Sequence, residues 1–540
     1  MTTQDVLPTG APAAPPFPAP TRPSRTFAVI AGLVTAGIAL AVAELVAGLD
    51  RRWRSPVLDV GDRVIDAAPP IVKEFAVDTF GTNDKPVLLI GIGALLAIYA
   101  GIVGVIALRH RLVAGVIGIG LFGVVGVWAA SSRRAAAPWH VVLPSVVGTF
   151  AGIGALMLVH RSLHTQQPTP ATSGDDDGRH AASGRRQFLQ RAGTLLAALS
   201  LGAAAVAAAG RRLGQRFTAA ESRAAVRLPR PVRQLDPLPA GAQVDAASMT
   251  PFVTPNADFY RVDTALTAPQ VRTEDYTLRV TGMVEHELSL SYDDLLRRVL
   301  IERDITLTCV SNEVGGQYVG NARWLGTRLA ELLREAGVRQ RADQVVGRSV
   351  DGWACGFPLT DALDGRDAMI AVGMNGEPLP IEHGFPARLI VPGLYGFVSA
   401  TKWVTEIELT TFAEFDHYWL RRGWAQKAPI KLMSRIDTPR GLAQVAAGTV
   451  PIAGVAWAQT IGIGAVEVRI DDGPWQRARL GDVTTKDTWR QWLLPWEATA
   501  GRHTITVRAT HANGAIQTEE RAEPIPDGAS GLHTIVVIVR

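Results

Sequence analysis

Long apolar segments dominate the first 210 residues of the chain. They are Phe27–Leu49, Val87–Leu108, Leu112–Ala130 and Val141–Val159. Each is about twenty residues long and nearly free of charge, which matches the hydrocarbon core of a bilayer at about 1.5 Å per helical residue. Any one of them could be a buried helix of a soluble protein, but four in succession predict a four-span membrane region over residues 27–160. Glu44 is the acidic exception, and it either faces the bundle interior or extends towards the boundary.

A fifth and weaker apolar segment, Ala192–Gly210, follows the sequence Arg185-Arg186-Gln187-Phe188-Leu189. An arginine pair before Phe-Leu and a mildly apolar stretch resembles a twin-arginine export signal, although the internal position is unusual. We therefore expect residues 161–184 to be a cytoplasmic linker and residues 185–212 to form the signal and a fifth span. The chain after it would then lie outside the cytoplasm. The basic loop Arg109-His110-Arg111 agrees with this topology, whereas Arg133-Arg134 counts against it.

From about Ser248 the apolar pattern becomes that of a water-soluble protein. Strands are predicted at Tyr276–Val280, Ile305–Val310, Arg388–Val391 and Val404–Leu409, and helices at Tyr292–Val299 and Leu325–Ala336, which makes residues 248–424 an α+β domain. Further on, Val466, Val468 and Ile470 alternate with charged residues before the turn Asp472-Gly473. Such short alternating strands predict an immunoglobulin-like β-sandwich over residues 425–540. The fold class is thus multi-domain, with an N-terminal helical membrane bundle.

Composition adds two further segments and excludes one class of partner. Residues 1–26 are rich in Pro, Ala and Thr and are expected to be a disordered tail, and residues 213–247 are rich in Arg and Pro and are expected to be an extracytoplasmic linker. The formal net charge is +4, which is too small to argue for binding to nucleic acid.

Cys309 is the candidate for metal chemistry, because the chain has only 2 cysteines. It stands at the end of an apolar strand and before a polar, glycine-containing loop, where a thiolate could hold a soft metal. A small buried hydrophobic side chain is the alternative for such a cysteine taken alone. Cys355 is expected to be a buried structural thiol. A disulfide between the two is the competing interpretation for an exported domain.

Several ordered motifs carry a resemblance to a known family. They are Thr254-Pro255-Asn256-Ala257-Asp258-Phe259-Tyr260-Arg261, the Cys309 segment with Asn321-Ala322-Arg323-Trp324, Met374-Asn375-Gly376-Glu377-Pro378-Leu379-Pro380, His383-Gly384-Phe385-Pro386-Ala387-Arg388, Pro392-Gly393-Leu394-Tyr395-Gly396 and Lys402-Trp403. Residues 248–540 resemble the sulfite oxidase superfamily of molybdenum–pterin enzymes. The resemblance implies a molybdopterin-binding domain, a C-terminal dimerisation domain and oxygen-atom transfer at molybdenum.

The resemblance also implies roles for individual residues. Cys309 would be the protein thiolate on molybdenum. Asn256, His383, Arg388 and Lys402 would hold the pterin and its phosphate, although Lys402 alone could be a solvated surface residue. Arg261, Trp324 and Arg490 would be active-site residues. The alternatives are a salt bridge from Arg261 to Asp258 or Asp263 and a core position for Trp324.

The chain departs from the family where anionic sulfite would bind. Glu313-Val314 stands where animal sulfite oxidases have an arginine pair, and Val372 stands where the family has a tyrosine. Sulfite is therefore a doubtful substrate, and we expect another small oxygen-atom donor or acceptor. A non-catalytic membrane protein that keeps the fold as a binding or assembly module is the alternative.

No motif for haem, nucleotide or an iron–sulfur cluster is evident. For haem, the candidate ligands His110, His140 and His160 stand at the ends of the apolar segments and not inside them. Electrons would pass to an unidentified partner or to a quinone. A homodimer through the C-terminal domain is a further expectation.

Overall fold

The computed structural model of the chain describes residues 23–69, 72, 75, 79–80, 84–133, 138–164, 177–215 and 218–540. Most of the predicted tail (residues 1–26) and part of the predicted linker (residues 165–176) lie outside the described residues. The chain divides into two compact units. The described residues within 1–61, 80–131 and 139–213 form one unit, and the described residues within 62–79, 132–138 and 214–540 form the other.

The described part of the first unit is helical. Its helices are α1 (Arg25–Ala47), α2 (Pro56–Ala67, which continues into the second unit), α3 (Asp84–Arg109), α4 (Leu112–Ser131), α5 (Leu143–His164) and α6 (Asp177–Gln215). Five segments of the described chain are long and apolar enough to cross a bilayer, judged by length and composition: Arg25–Ala47, Lys85–Arg109, Leu112–Ser131, Trp139–Leu163 and Gly193–Gly214. They correspond to the five segments that the hydropathy pattern predicts.

Close helix packing in this unit depends on glycine. A methyl group on Gly32 of α1 would lie 2.2 Å from the carbonyl oxygen of Ala100 in α3, and one on Gly104 would lie 2.3 Å from that of Ala28. Only glycine allows the two backbones to approach so closely. Small residues at such crossings are typical of helices that pack inside a bilayer.

The second unit begins its regular structure after α6 with α7 (Ala220–Ala225) and contains four sheets. The other helices are α8 (Tyr292–Arg297), α9 (Leu329–Ala336), α10 (Leu359–Leu363) and α11 (Gly396–Ser399). The strands up to residue 410 are β1 (Thr277–Gly282), β2 (Leu288–Ser291), β3 (Leu300–Thr308), β4 (Val319–Arg328), β5 (Gln344–Ser349), β6 (Ala354–Pro358), β7 (Met369–Met374), β8 (Glu377–Pro378), β9 (Arg388–Ile390) and β10 (Val404–Thr410).

These ten strands form two five-stranded sheets. One has the order β2-β1-β10-β5-β6, with β1 and β10 parallel. The other has the order β3-β4-β7-β8, with β9 paired to β7. The predicted strands at Tyr276, Ile305, Arg388 and Val404 are confirmed as β1, β3, β9 and β10 with shifted ends. The α+β prediction for this region is consistent with the observed mixture of helices and strands.

One predicted helix starts too early. The apolar spacing predicts a helix throughout Leu325–Ala336, but residues 325–328 are the end of β4 and pair with β7, with Gly326 opposite Ala371. Helix α9 begins at Leu329 and buries Leu329, Leu332, Leu333 and Ala336 along one face. The spacing of these apolar residues is that of a helix, and the pairing with β7 decides where the helix begins.

The C-terminal region is made of sheets. Its strands are β11 (Met433–Thr438), β12 (Gln444–Val445), β13 (Gly448–Trp457), β14 (Ile463–Ile470), β15 (Gln476–Arg477), β16 (Arg479–Leu480), β17 (Arg490–Ala498), β18 (Gly501–His511) and β19 (His533–Val539). Their orders are β11-β13-β17-β16 and β12-β19-β18-β14-β15. One apolar cluster contains Ile452 and Trp492 from the first sheet and Val468, Val507 and Val537 from the second. The two sheets therefore share a core.

Candidate functional site

Cys309 directly follows the last residue of β3, whereas the sequence predicts it inside a strand that ends at Val310. Its backbone N–H donates to the carbonyl of Tyr318 at 2.9 Å, and its Sγ lies 3.3 Å from the hydroxyl of Ser311. The side chain is buried, at 8% exposure. Burial raises the pKa of this thiol, while the Ser311 hydroxyl and the charge of Lys402 oppose the rise. A cation bound to the sulfur would favour the thiolate and offset the effect of burial.

Cys355 is separate from this group. It lies in β6, its Sγ is 3.1 Å from the hydroxyl of Thr401, and burial raises its pKa to about 12. Both cysteines are free thiols. The disulfide alternative is therefore wrong in this structure, and Cys309 is available as a ligand.

Three basic side chains that the family resemblance implies for the cofactor are buried. The charge of Lys402 acts on the Cys309 thiol, and the charges of Arg388 and Lys402 act on His383. Arg388 is 4%, His383 is 5% and Lys402 is 8% exposed. Nη1 of Arg388 donates to the carbonyl of His383 at 3.2 Å, and the guanidinium stacks over Trp324 at 5.1 Å. Burial lowers the pKa of Arg388 to about 10 and that of Lys402 to about 8. The positive charges of Arg388 and Lys402 are thus buried where water solvates them poorly.

The charges of Lys402 and Arg388 are balanced differently. Lys402 has a counterion, because its Nζ lies 3.0 Å from a carboxylate oxygen of Asp263. Arg388 has no ion pair among the described residues, and its Nε is buried without a hydrogen-bond partner. A buried cation without a partner is costly. The site therefore favours an anionic ligand with acceptor oxygens.

His383 has a hydrogen-bond acceptor without a partner, as Arg388 has a donor without one. Its Nε2 lies 3.2 Å from the backbone carbonyl oxygen of Asn256 and must donate to it. Burial and the nearby charges of Arg388 and Lys402 lower the pKa of His383 to about 3, so the ring is neutral. Nδ1 is then an unprotonated acceptor, and it is buried without a partner. A ligand with both an anionic group and an N–H donor would satisfy Arg388 and His383 together.

Asn256 lies in a polar network beside the cavity. Its side-chain amide donates to Glu377 and accepts from the amide of Asn375 at 2.8 Å. A cavity of about 560 Å³ opens here, lined by Asn256, Phe259, Arg261 and His383 among others. The structure thus places Asn256, His383 and Arg261 on one cavity.

The predicted catalytic residues Arg261 and Trp324 have different surroundings. Arg261 lines the cavity, yet its Nε lies 2.9 Å from Asp263 and the side chain is 36% exposed. The salt bridge that was its alternative is therefore present. Trp324 is fully buried and donates from its indole nitrogen to the carbonyl of Ile305 at 3.1 Å. It packs behind Arg388 as a core residue and does not line the cavity.

Arg490, the third of these residues, is not brought to the Cys309 group by its hydrogen bonds. Its guanidinium donates to the carbonyls of Gly481 at 2.8 Å and of Ile463 at 3.0 Å, both in the C-terminal region. These two carbonyls hold the side chain at the start of β17.

Two residues of the site were not assigned from sequence. Asp263 is the shared counterion of Arg261 and Lys402, whereas its place in the chain indicated only a possible pair with Arg261. Tyr260 is partly buried and stacks on Phe259. Burial raises its pKa, and the nearby charge of Cys309 adds to the rise. Its position next to Arg261 in the motif was the available indication.

The residues that replace the family's anion-facing groups add no cation to the site. Val314 packs against a cluster that includes Phe252, Trp457 and Trp489. Val372 is fully buried in an apolar core, and Glu313 is exposed. None of the three supplies a positive charge to the Cys309 group.

Comparison with known proteins gives concordant findings. The family described as an oxidoreductase molybdopterin binding domain matches residues 265–419. Human mitochondrial sulfite oxidase is 29% identical over 306 residues, which cover 47% of this chain and 55% of that protein. The uncharacterized oxidoreductase YuiH of Bacillus subtilis is 34% identical over 149 residues, 28% of this chain and 72% of that protein. The chain spans about half the length of the sulfite oxidases that it matches.

A solved structure is also similar. The sulfane dehydrogenase SoxCD of Paracoccus pantotrophus has 24% sequence identity and a TM-score of 0.47, and the match covers 53% of this chain and 83% of that one.

The family implies a molybdopterin cofactor, and the residues present fit it. A pterin phosphate would give Arg388 and Lys402 an anion. A pterin N–H would satisfy the Nδ1 of His383, which has no partner, and Cys309 is a buried sulfur outside any disulfide. The matched domain, the relatives and this donor set agree that the chain belongs to the sulfite oxidase family of molybdopterin-dependent oxidoreductases.

Proposed function

We propose that this protein is a membrane-anchored oxidoreductase that transfers an oxygen atom to or from a small molecule outside the cytoplasm. The observation that carries the chemical part is the pair of buried side chains Arg388 and His383, which have a donor and an acceptor without partners, together with the free, buried thiol of Cys309, on which the charge of Lys402 acts. Family membership supports an oxidoreductase over the non-catalytic alternative.

The cofactor would be held by the chain's own donors. Arg388 and Lys402 would neutralise the phosphate, His383 would accept an N–H, and Cys309 would bind the metal through sulfur. Bound there, the molybdenum–pterin group supplies two-electron oxygen-atom chemistry. Asp263 limits the surplus positive charge by pairing with Lys402. Phe259 and Trp324 pack edge to face at 5.7 Å, and Trp324 covers one face of the Arg388 guanidinium.

The charge of the preferred substrate follows from the charged and hydrogen-bonding side chains that are present near the cavity. Arg261 is already paired with Asp263, and Val314 and Val372 contribute no donor. The absence of one charge-assisted hydrogen bond from a desolvated site costs roughly 1.5–3 kcal/mol, or about one to two powers of ten in affinity. A neutral or weakly charged oxygen-atom donor or acceptor is therefore favoured over sulfite.

The location rests on the N-terminal half. Five segments have the length and composition of membrane spans, and Arg185-Arg186 precedes the last of them. With four crossings before the arginine pair and one after it, the oxidoreductase domain would lie outside. The paired sheets of residues 433–539 are consistent with an immunoglobulin-like dimerisation domain, and an electron-transfer partner or quinone would complete the cycle.

Steady-state assays test the proposal. The full chain is purified in detergent from a host that makes the cofactor and exports folded proteins, and it is assayed with sulfite, sulfoxides and N-oxides. We expect turnover of a sulfoxide or N-oxide and poor sulfite oxidation. Efficient sulfite turnover at micromolar concentration would contradict the substrate proposal, and no turnover of any oxygen-atom donor or acceptor would contradict the proposed reaction.

A further inference from the structure

The segment that follows α6 is attached to the oxidoreductase domain at several points. Ala219 is fully buried in the apolar cluster of Phe259 and Trp324, and its N–H donates to the side chain of Gln270 at 3.0 Å. The hydroxyl of Ser222 lies 2.8 Å from that of Thr273. Sequence composition alone predicts a free linker here, whereas these interactions hold residues 219–228 against the domain.

Arg223 makes the densest set of hydrogen bonds in this segment. Its Nε donates to the carbonyl of Leu379 at 2.8 Å, and its Nη2 donates to the carbonyl of Pro378 at 2.7 Å and to the carboxylate of Glu377 at 3.0 Å. One guanidinium therefore binds three consecutive residues of the chain that leads from β7 to His383. Its planar fork suits such multiple bonding better than a lysine would.

Glu377 connects Arg223 to the cofactor group. The same carboxylate accepts from the side-chain amide of Asn256, and the carbonyl of Asn256 accepts from Nε2 of His383 at 3.2 Å. Asn256 and Arg223 lower the pKa of Glu377, so it is an anion at neutral pH. Arg223 also lines the same cavity as Asn256 and His383. A continuous polar path thus runs from the segment after α6 to the imidazole whose Nδ1 is open.

We propose that residues 219–228 are a latch over the cofactor site and that Arg223 is the positioning residue that fastens it. This inference rests on the proposed molybdopterin site. Arg223 fixes Glu377 and the carbonyls of residues 378 and 379, and through Asn256 it fixes the orientation of His383. The cofactor enters while the latch is open and is released slowly once the latch has closed.

The first experiment measures the latch without cofactor. Full-length protein is purified from a host that cannot make the pterin, and amide hydrogen exchange is followed over residues 374–383. In Arg223→Ala we expect exchange roughly ten-fold faster there, because three hydrogen bonds are removed. Arg227→Ala is the matched control, since Arg227 is exposed and donates only to the nearby carbonyls of Ala224 and Val226. Unchanged exchange in Arg223→Ala would overturn the proposal.

The second experiment measures retention of the cofactor. Loaded protein is placed in mild urea, and release of the pterin is followed by the fluorescence of its oxidised form. We expect release about ten-fold faster for Arg223→Ala, an intermediate rate for Arg223→Lys and the wild-type rate for Arg227→Ala. The double variant Arg223→Ala/Glu377→Gln should release the pterin no faster than the single variant Arg223→Ala. Equal release rates for Arg223→Ala and wild type would overturn the latch. Wild-type protein that never carries pterin would instead contradict the proposed function, and the exchange experiment would then decide the latch.

Discussion

At the scale of single residues, Arg388 carries the strongest energetic argument for a ligand. Its guanidinium is buried, its Nε has no partner, and no carboxylate pairs with it in the part of the chain that is described. Folding therefore places an uncompensated charge in the interior, which a stable protein avoids unless function requires it.

Arg388→Met tests this conflict between stability and binding. The variant should be more stable than wild type without cofactor, by about 1–3 kcal/mol in urea unfolding, because a buried charge is replaced by an apolar side chain of similar length. Its pterin content after expression should fall strongly. Arg279→Met is the control, since Arg279 forms an exposed pair with Glu406 and should change neither quantity much. A destabilised Arg388→Met that keeps its pterin would argue against the assignment.

The sequence indicated most members of this group but not their interactions. Cys309, His383, Arg388 and Lys402 stand in recognisable motifs, so their proximity could be expected. The open Nδ1 of His383 depends on a hydrogen bond to a backbone carbonyl in a distant part of the chain, and no local pattern encodes it. Arg490 shows the same limit, because the carbonyls that hold it depend on how the sheets pair.

At the scale of elements, strand pairing and not local pattern decides several boundaries. The helical spacing of residues 325–336 is real, yet the first four residues extend β4 because β7 offers hydrogen bonds to them. A strand that leads to the polar loop after Cys309 was predictable from the apolar run, although β3 ends at Thr308 and not at the predicted Val310. The hydrogen bonds of residues 219–228 were not, because Pro- and Arg-rich composition says nothing about long-range partners.

His533, at the start of β19, makes the C-terminal region sensitive to acid. Its Nδ1 accepts from the N–H of Ile436 at 3.0 Å, and burial together with Arg435 lowers its pKa to about 4. Between about pH 6.5 and pH 4 the unfolded chain binds a proton here that the folded chain does not. Stability is therefore complete above about pH 6.5 and falls as the pH drops through this window, by up to about 3 kcal/mol.

His533→Asn should flatten this part of the stability profile, measured by urea unfolding with tryptophan fluorescence from about pH 4 to pH 7. His503→Asn is an informative control, because Asp471 raises the pKa of His503. That group contributes a constant stabilisation below about pH 6.5 and loses it only as the pH rises above this value, so its removal should leave the slope between about pH 4 and pH 6.5 unchanged. An unchanged profile in His533→Asn would count against the role of this residue.

At the scale of the whole molecule, the order of apolar segments and basic pairs defines the expected topology. Arg185→Lys/Arg186→Lys should trap the oxidoreductase domain inside the cell, because twin-arginine export depends on that pair. A reporter fused after Arg540 measures the outcome. Arg211→Lys/Arg212→Lys is the matched control, because this second pair stands at the other end of α6. An external reporter in the first variant, or in cells that lack the translocase, would rule out this route.

Cys309 is expected to bind the molybdenum of a molybdopterin cofactor. The most direct test combines metal and pterin analysis with the Mo(V) resonance of wild type, Cys309→Ser and Cys355→Ser, all purified from a cofactor-producing host. Both cysteines are buried and free, so the second variant controls for loss of a buried thiol. We predict that Cys355→Ser contains as much molybdenum and as much pterin as wild type and shows the same resonance. Cys309→Ser should fold but lose turnover and lose or alter that resonance, because a neutral hydroxyl is a poor ligand for a soft metal. Wild-type turnover and an unchanged resonance in Cys309→Ser would contradict the claim.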